Sequence, residues 1–301
     1  MTAGFVEKPL LLTRRLAAEM ERATLIDYVA ATTLLLVLFF GFPEFLAKFA
    51  VQISLFLIVL KFTNIKNAWL WGALSVAHTL VLLDNWMFAD NHKYLMVYWL
   101  YVVTIALVIS GRFDADRYLV AVARFFVVFI FCVAALQKSL SPTFTSGEMF
   151  ELNLLLDSRF TAFGHLFGVD QNSAEESRRI VASLKSPFVE IEGNSVVLPS
   201  TDWTRTLAQL ITWYDVIIQY MIGLLFIPSR RITDFMGHCV FLFFILTTYL
   251  PAPVYGFGWL LCILGLCLAW DRFRQLRMVY LFSFVAILIY QSPWRAWVLN
   301  W

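Results

Sequence analysis

The chain has 301 residues, of which 60% are hydrophobic and only 15% charged, with a net charge of +2 and a mean hydropathy of +0.74. Average soluble domains carry about 25% charged residues, so this balance argues against a soluble enzyme and for a polytopic membrane protein. No lysine or arginine cluster points to a nucleic-acid partner.

Residues 1–23 mix charged and apolar positions without the apolar core or cleavage site of a signal peptide, and predict an amphipathic cytoplasmic segment. Nine apolar stretches follow, bounded by charge or by Pro and Gly, at about 24–42, 46–62, 68–84, 94–111, 118–140, 205–227, 233–250, 254–270 and 278–292. The predicted fold is an all-α integral membrane protein of about nine transmembrane helices. Five lie in 24–140 and four in 205–301, with one extracytoplasmic loop or small subdomain at 141–204 between them. In that loop EMFELNLLLDSRFTAF has apolar residues at helical spacing. The polar stretch after it predicts a short exposed helix capped by Asp170 or Asn172. FVEIEGNSVVLPS alternates around Gly193 and Asn194 like a small hairpin. The four cysteines, Cys132, Cys239, Cys262 and Cys267, all lie in apolar runs, and predict neither a disulfide nor a metal site.

Charge orients these stretches. One set of connections holds Lys8, Arg14, Arg15, Arg22, Lys61, Lys66, Arg112, Arg117, Arg230, Arg231, Arg272, Arg274 and Arg277. The short connections of the other set hold only Lys48, Lys93 and Arg295. The basic-rich side is the cytoplasmic one, which puts the N-terminus in the cytoplasm.

On the opposite side, polar residues gather in the outer halves of the stretches. The third runs through His78 to Asp84 and Asn85, with His78 and Asn85 seven apart and so on one helix face. The next connection carries Asp90, Asn91, His92, Lys93 and Tyr94. The fifth ends in Gln137 and Lys138, and the sixth carries Asp215 and Gln219 four apart. An ionisable residue in such a setting usually faces a protein interior or a water-filled cavity. Burial disfavours an ammonium, which makes a lysine a candidate base, with an aspartate to orient it. Each residue also has a plainer reading. Lys138 fits a helix-end anchor, His78 a helix–helix hydrogen bonder, His92 a helix cap, and Asp215 with Gln219 interhelical glue. Arg124 and His238, deeper in their stretches, read as structural.

NHKYL (Asn91 to Leu95), FDADRYLV (Phe113 to Val120) and ALQKSLSPTFTSGEMFE (Ala135 to Glu151) resemble the membrane domain of the vitamin K-dependent γ-glutamyl carboxylases, whose bacterial members form the HTTM family. WYDVIIQ (Trp213 to Gln219), PSRRITDFMGH and YGFGWLL extend the resemblance over roughly residues 25–270. The resemblance implies that Lys138 is the base that deprotonates a reduced vitamin K or menaquinone-type quinone. It also implies that His92 assists removal of the γ-proton of a substrate glutamate, in a peptide or protein reaching the site from the extracytoplasmic side. Gln137 stands where the family has a lysine, Phe144 where it has a tryptophan, and a histidine expected on the seventh stretch has no clear equivalent. Two readings follow: a membrane enzyme of this kind, or a non-catalytic lipid-binding or accessory factor for maturation or export of a partner protein or toxin.

Overall fold

The computed structural model describes residues 23–42, 44–184, 197–249, 254 and 256–291. The N-terminal segment 1–22, the hairpin expected around Gly193, and Arg295 lie outside the described residues. All regular structure within them is helical, and a helix occupies each of the nine apolar stretches. These helices are α1 (Leu25–Phe40), α2 (Phe45–Val59), α3 (Ala68–Asp84), α4 (Asn91–Ile109) and α5 (Ala115–Leu140), then α10 (Asp202–Phe226), α11 (Arg231–Tyr249), α12 (Phe257–Ala269) and α13 (Arg274–Gln291). Between α5 and α10 lie α6 (Pro142–Thr145), α7 (Glu148–Leu156), a 3-10 turn (Ser158–Phe160), α8 (Thr161–Leu166) and α9 (Gln171–Leu184).

Four helices, α4, α5, α10 and α11, are long and apolar enough to cross a membrane by length and composition, and α1, α2, α3 and α12 are shorter apolar helices. Their outward faces are apolar too. Phe45, Phe49 and Phe56 are exposed on α2, Phe125, Phe129 and Leu136 on α5, and Leu210, Trp213, Ile217, Met221 and Leu224 on α10. An exposed apolar surface of that extent costs a protein in water heavily and suits one in lipid.

Several helices start earlier than hydrophobicity alone predicts, because a polar residue caps them. The Asp114 carboxylate accepts the Arg117 amide at 3.0 Å, so α5 starts at Ala115 rather than 118. Thr201 does the same for Thr204 at 3.2 Å, and α10 starts at Asp202. Residues Asn91 to Lys93, expected in a connection, form the first turn of α4 after Asp90.

The chain divides into two compact units, residues 1–123 with 266–273, and residues 124–265 with 274–301. In the first, α3 packs on α4, and α1 packs on both α2 and α4. Small and hydroxyl side chains line the α3–α4 contact: Ser75 bonds Thr104 at 3.0 Å, Thr79 bonds the Tyr101 hydroxyl at 2.9 Å, and Gly72 faces Thr104. The buried Trp99 indole donates to Thr33 at 3.0 Å, tying α4 to α1. The N-terminus of α1 carries a capping box of Thr24 and Asp27, and the Asp116 carboxylate accepts the Leu25 and Ile26 amides at 3.2 Å each.

In the second unit α10 packs on α11 and α7, while α9 packs on α7 and α13 on α11. Residues 141–184 thus form a small helical subdomain around Leu154, Val169, Leu207 and Ala208, with Phe150, Phe160, Phe163 and Ile211 packed against them. Asp170, not Asn172, caps α9: its carboxylate accepts the Ser173 hydroxyl at 2.6 Å and amide at 3.0 Å, which holds that exposed carboxyl below its ordinary range. Arg159 acts likewise on Asp157, whose carboxyl is lowered by the guanidinium hydrogen-bonded to it at 2.6 Å. Gly147 takes φ +86°, a left-handed conformation, and lies against the Gln209 backbone, where a β-carbon would crowd the contact.

Candidate functional site

The polar residues singled out in the sequence are shared between the units. His78, Asp84, Asn85, Asn91, His92 and Tyr94 belong to the first, and Gln137, Lys138, Asp215 and Gln219 to the second. Each group is described by itself.

In the second unit, Lys138 sits in the last turn of α5, where a cation is favoured by the helix dipole. Its ammonium meets Asp215 Oδ2 of α10 at 2.5 Å and lies 5.1 Å from the Phe144 ring centroid. The other carboxylate oxygen, Oδ1, accepts Gln219 Nε2 at 2.8 Å. The spacing of four places both side chains on one face of α10, as the sequence indicates. The pair is largely enclosed, with the lysine side chain 27% exposed and the aspartate 10%. Gln137, beside Lys138, points to the surface.

Two atoms on this face of α10 were not signalled in the sequence. Gln219 must turn its NH2 toward the carboxylate, and its buried Oε1 then has no hydrogen-bond partner among the described residues. The buried Thr212 hydroxyl, three residues before Asp215, has none either. Orphaned buried oxygens are costly and uncommon, and are satisfied when water or a ligand reaches them. The spacing 212, 215, 219 is the signal that marks them, since it repeats one helix face. Ser139 and Tyr220 meet at 3.4 Å beside the cluster, and Tyr214 bonds Thr247 of α11.

A second cation–carboxylate pair lies in the same unit. Arg124 of α5 makes two parallel bonds to Asp234 of α11, at 2.8 and 3.0 Å, and donates to the Phe226 carbonyl at the end of α10 at 2.7 Å. His238 bonds the Tyr280 hydroxyl at 2.9 Å. Both fit the structural roles expected of Arg124 and His238. Asp234 and Tyr280, their partners, carried no sequence signal.

In the first unit, the polar residues gather at the junction of α1 and α2. Lys93 donates to the carbonyls of Phe40 and Gly41 at 2.9 and 3.1 Å, and so caps the C-terminus of α1. Asn85 donates to Glu44 Oε1 at 3.2 Å. His78 bonds the Leu74 carbonyl of its own helix at 2.8 Å, rather than a neighbouring helix as its plain reading expects. A carbonyl only accepts, so Nδ1 carries the proton there, and the buried Nε2 has no partner among the described residues. Tyr94 donates to the Trp86 carbonyl. His92, at the second position of α4 rather than capping it, has a ring nitrogen 3.9 Å from Asp90. Asp84 and Asn91 are exposed.

Among the described residues, no group of three or more His, Cys, Asp or Glu side chains is arranged to hold a metal ion. No protein-family model matches the chain, and neither a curated protein nor a solved structure matches it.

Proposed function

We propose that this is a multi-pass integral membrane protein, with its N-terminus in the cytoplasm and all nine apolar helices in the bilayer. Its Lys138–Asp215–Gln219 cluster handles protons for a lipid-soluble substrate on the extracytoplasmic side. The proposal includes membership of the HTTM family, in the likeness of the γ-glutamyl carboxylase membrane domain, on the motifs quoted above. The observation that carries it is the incomplete hydrogen bonding beside an ion pair: Lys138 and Asp215 in contact, with Gln219 Oε1 and Thr212 Oγ1 unsatisfied among the described residues, on the same helix face.

Moving one proton from the ammonium to the carboxylate leaves a neutral amine beside a neutral acid. The amine then accepts a hydroxyl proton from the substrate while Asp215, held by Gln219, keeps the other. A reduced quinone of the vitamin K or menaquinone type fits such a site, because it carries two hydroxyls, one a proton source for the amine and the other a hydrogen-bond donor for an orphaned oxygen such as Gln219 Oε1. When bound, and oxidised by oxygen, it would supply the strong base that removal of a glutamate γ-proton needs. His92 takes the assisting role in that step that its motif implies.

The experiment measures quinone epoxide formed by the detergent-solubilised chain from reduced menaquinone and oxygen, with a glutamate-bearing peptide present. Lys138→Ala is expected to lower the rate at least 100-fold, in the range for a positioned acid–base group. Equal epoxide formation by the wild type and Lys138→Ala would remove the catalytic reading.

The second reading, a non-catalytic lipid-binding or accessory factor, is favoured by one observation: Lys138 and Asp215 neutralise each other, as a purely structural pair also does. It predicts no epoxide from the wild type, and loss of a partner protein's maturation or export in the Lys138→Ala strain.

A further inference from the structure

A groove of about 500 Å³ lies within the first unit, between the C-terminal end of α1 and the first turns of α2. Its walls include Val37, Leu38, Phe42 and Val51, and its polar lining includes Lys48 and Gln52. Lys48 and Gln52 are one turn apart on α2 and so point the same way. Lys93, in the same unit, is committed to the α1 carbonyls. The Lys48 ammonium has no hydrogen bond or ion pair among the described residues, and the residue is exposed. It is also one of only three basic residues in the short connections of the cation-poor side. Around it α2 presents Phe45, Leu46 and Phe49 outward.

An apolar trough with one unpaired ammonium and one amide at its rim is complementary to an amphiphile with an anionic head. We propose that this groove holds an anionic phospholipid. The phosphate sits between the Lys48 ammonium and the Gln52 amide N–H, and an acyl chain lies along Val37, Leu38, Phe42 and Val51. The assignment rests on the reading of the chain as a membrane protein, and is independent of any chemistry at Lys138.

The test uses the full chain in nanodiscs of phosphatidylglycerol and phosphatidylcholine in equal amounts, with the lipids retained on the protein counted by native mass spectrometry. The wild type is expected to retain phosphatidylglycerol about fivefold over phosphatidylcholine, the weight of one lysine near an anionic surface. Lys48→Ala brings that ratio to near one, while Lys61→Ala, just past the other end of α2, leaves it unchanged. Val51→Phe, which fills the trough, lowers retention of both lipids at an unchanged unfolding temperature. A wild-type ratio of one, or an unchanged ratio in Lys48→Ala, overturns the site. Full displacement of phosphatidylglycerol by millimolar inorganic phosphate overturns the acyl-chain contact. Failure of the membrane reading has a separate signature, a chain that stays monodisperse with no detergent at all.

Discussion

Helix α5 carries two cations fourteen residues apart, Arg124 and Lys138, which puts them about 21 Å apart along its axis. Each meets one buried carboxylate on another helix, yet the surroundings differ. Arg124 makes three hydrogen bonds, two to Asp234 and one to the Phe226 carbonyl, and lies 5.9 Å from the Phe226 ring centroid. The Asp234 side chain is 2% exposed. Lys138 makes one bond, to a carboxylate that Gln219 also holds, beside two oxygens without partners among the described residues. A guanidinium in a fixed fork suits a locked joint, whereas an ammonium with donors to spare suits a place where protons and ligands come and go. The same kind of charge pair thus serves as a closed fastening at one level of the helix and an open one at the other.

The largest effect is expected at the closed pair. Arg124→Met removes the guanidinium that makes two hydrogen bonds to the buried Asp234, and should lower stability by about 3–5 kcal/mol. Thermal unfolding in a fixed detergent reads it, and adding Asp234→Leu should restore most of the loss. If the single variant unfolds like the wild type, the contrast with Lys138 collapses. Asp215→Leu comes next, at about 1–2 kcal/mol, because Lys138 keeps contact with solvent and is penalised less. Its epoxide formation should nevertheless fall about 100-fold, so stability and turnover part company here. Gln219→Leu should cost only about 1 kcal/mol, the bond to Asp215 being partly offset by removal of the orphaned Oε1. A much larger loss would mean that this oxygen is satisfied in the folded protein.

The smallest effect lies at the Asp157–Arg159 pair, where the arginine is 45% exposed. The folded carboxyl titrates below its unfolded value, so its contribution is complete above about pH 3.9 and fades as the pH falls through the folded value. Limited proteolysis of the 141–184 subdomain between pH 6 and 3 should show this as about 0.5 kcal/mol, and Asp157→Asn should remove that pH dependence.

Much of this arrangement was legible in the sequence, for identifiable reasons. Apolar length located the helices, and an isolated lysine after a long apolar run drew attention to Lys138. Spacing of four joins Asp215 to Gln219 on one face of α10. What escaped notice has no one-dimensional signature. Lys93 caps α1 through backbone carbonyls, which every residue has. Asp234 follows Arg230 and Arg231 closely enough to look like one more charge at a helix start, and only the packing of α5 on its surroundings reveals Arg124 as its partner. Glu44, bonded to Asn85, is separated from it by forty-one residues. The starts of α4, α5 and α10 were misplaced by three residues because polar first turns look like connections when hydrophobicity alone is read.

The Asp116 carboxylate that receives the first amides of α1 has a consequence for the order of events in biosynthesis. Its partners, Leu25 and Ile26, lie 91 and 90 residues earlier in the chain. At about 5–20 residues per second, Leu25 and Ile26 are joined to the chain roughly 5–18 seconds before that carboxylate exists. During the interval only Thr24 and Asp27 serve that helix end, and two amides stay hydrated. Helix α1 is therefore finished by α5, and a ribosome paused before Asp116 should leave a nascent chain in which the start of α1 is still open to proteases.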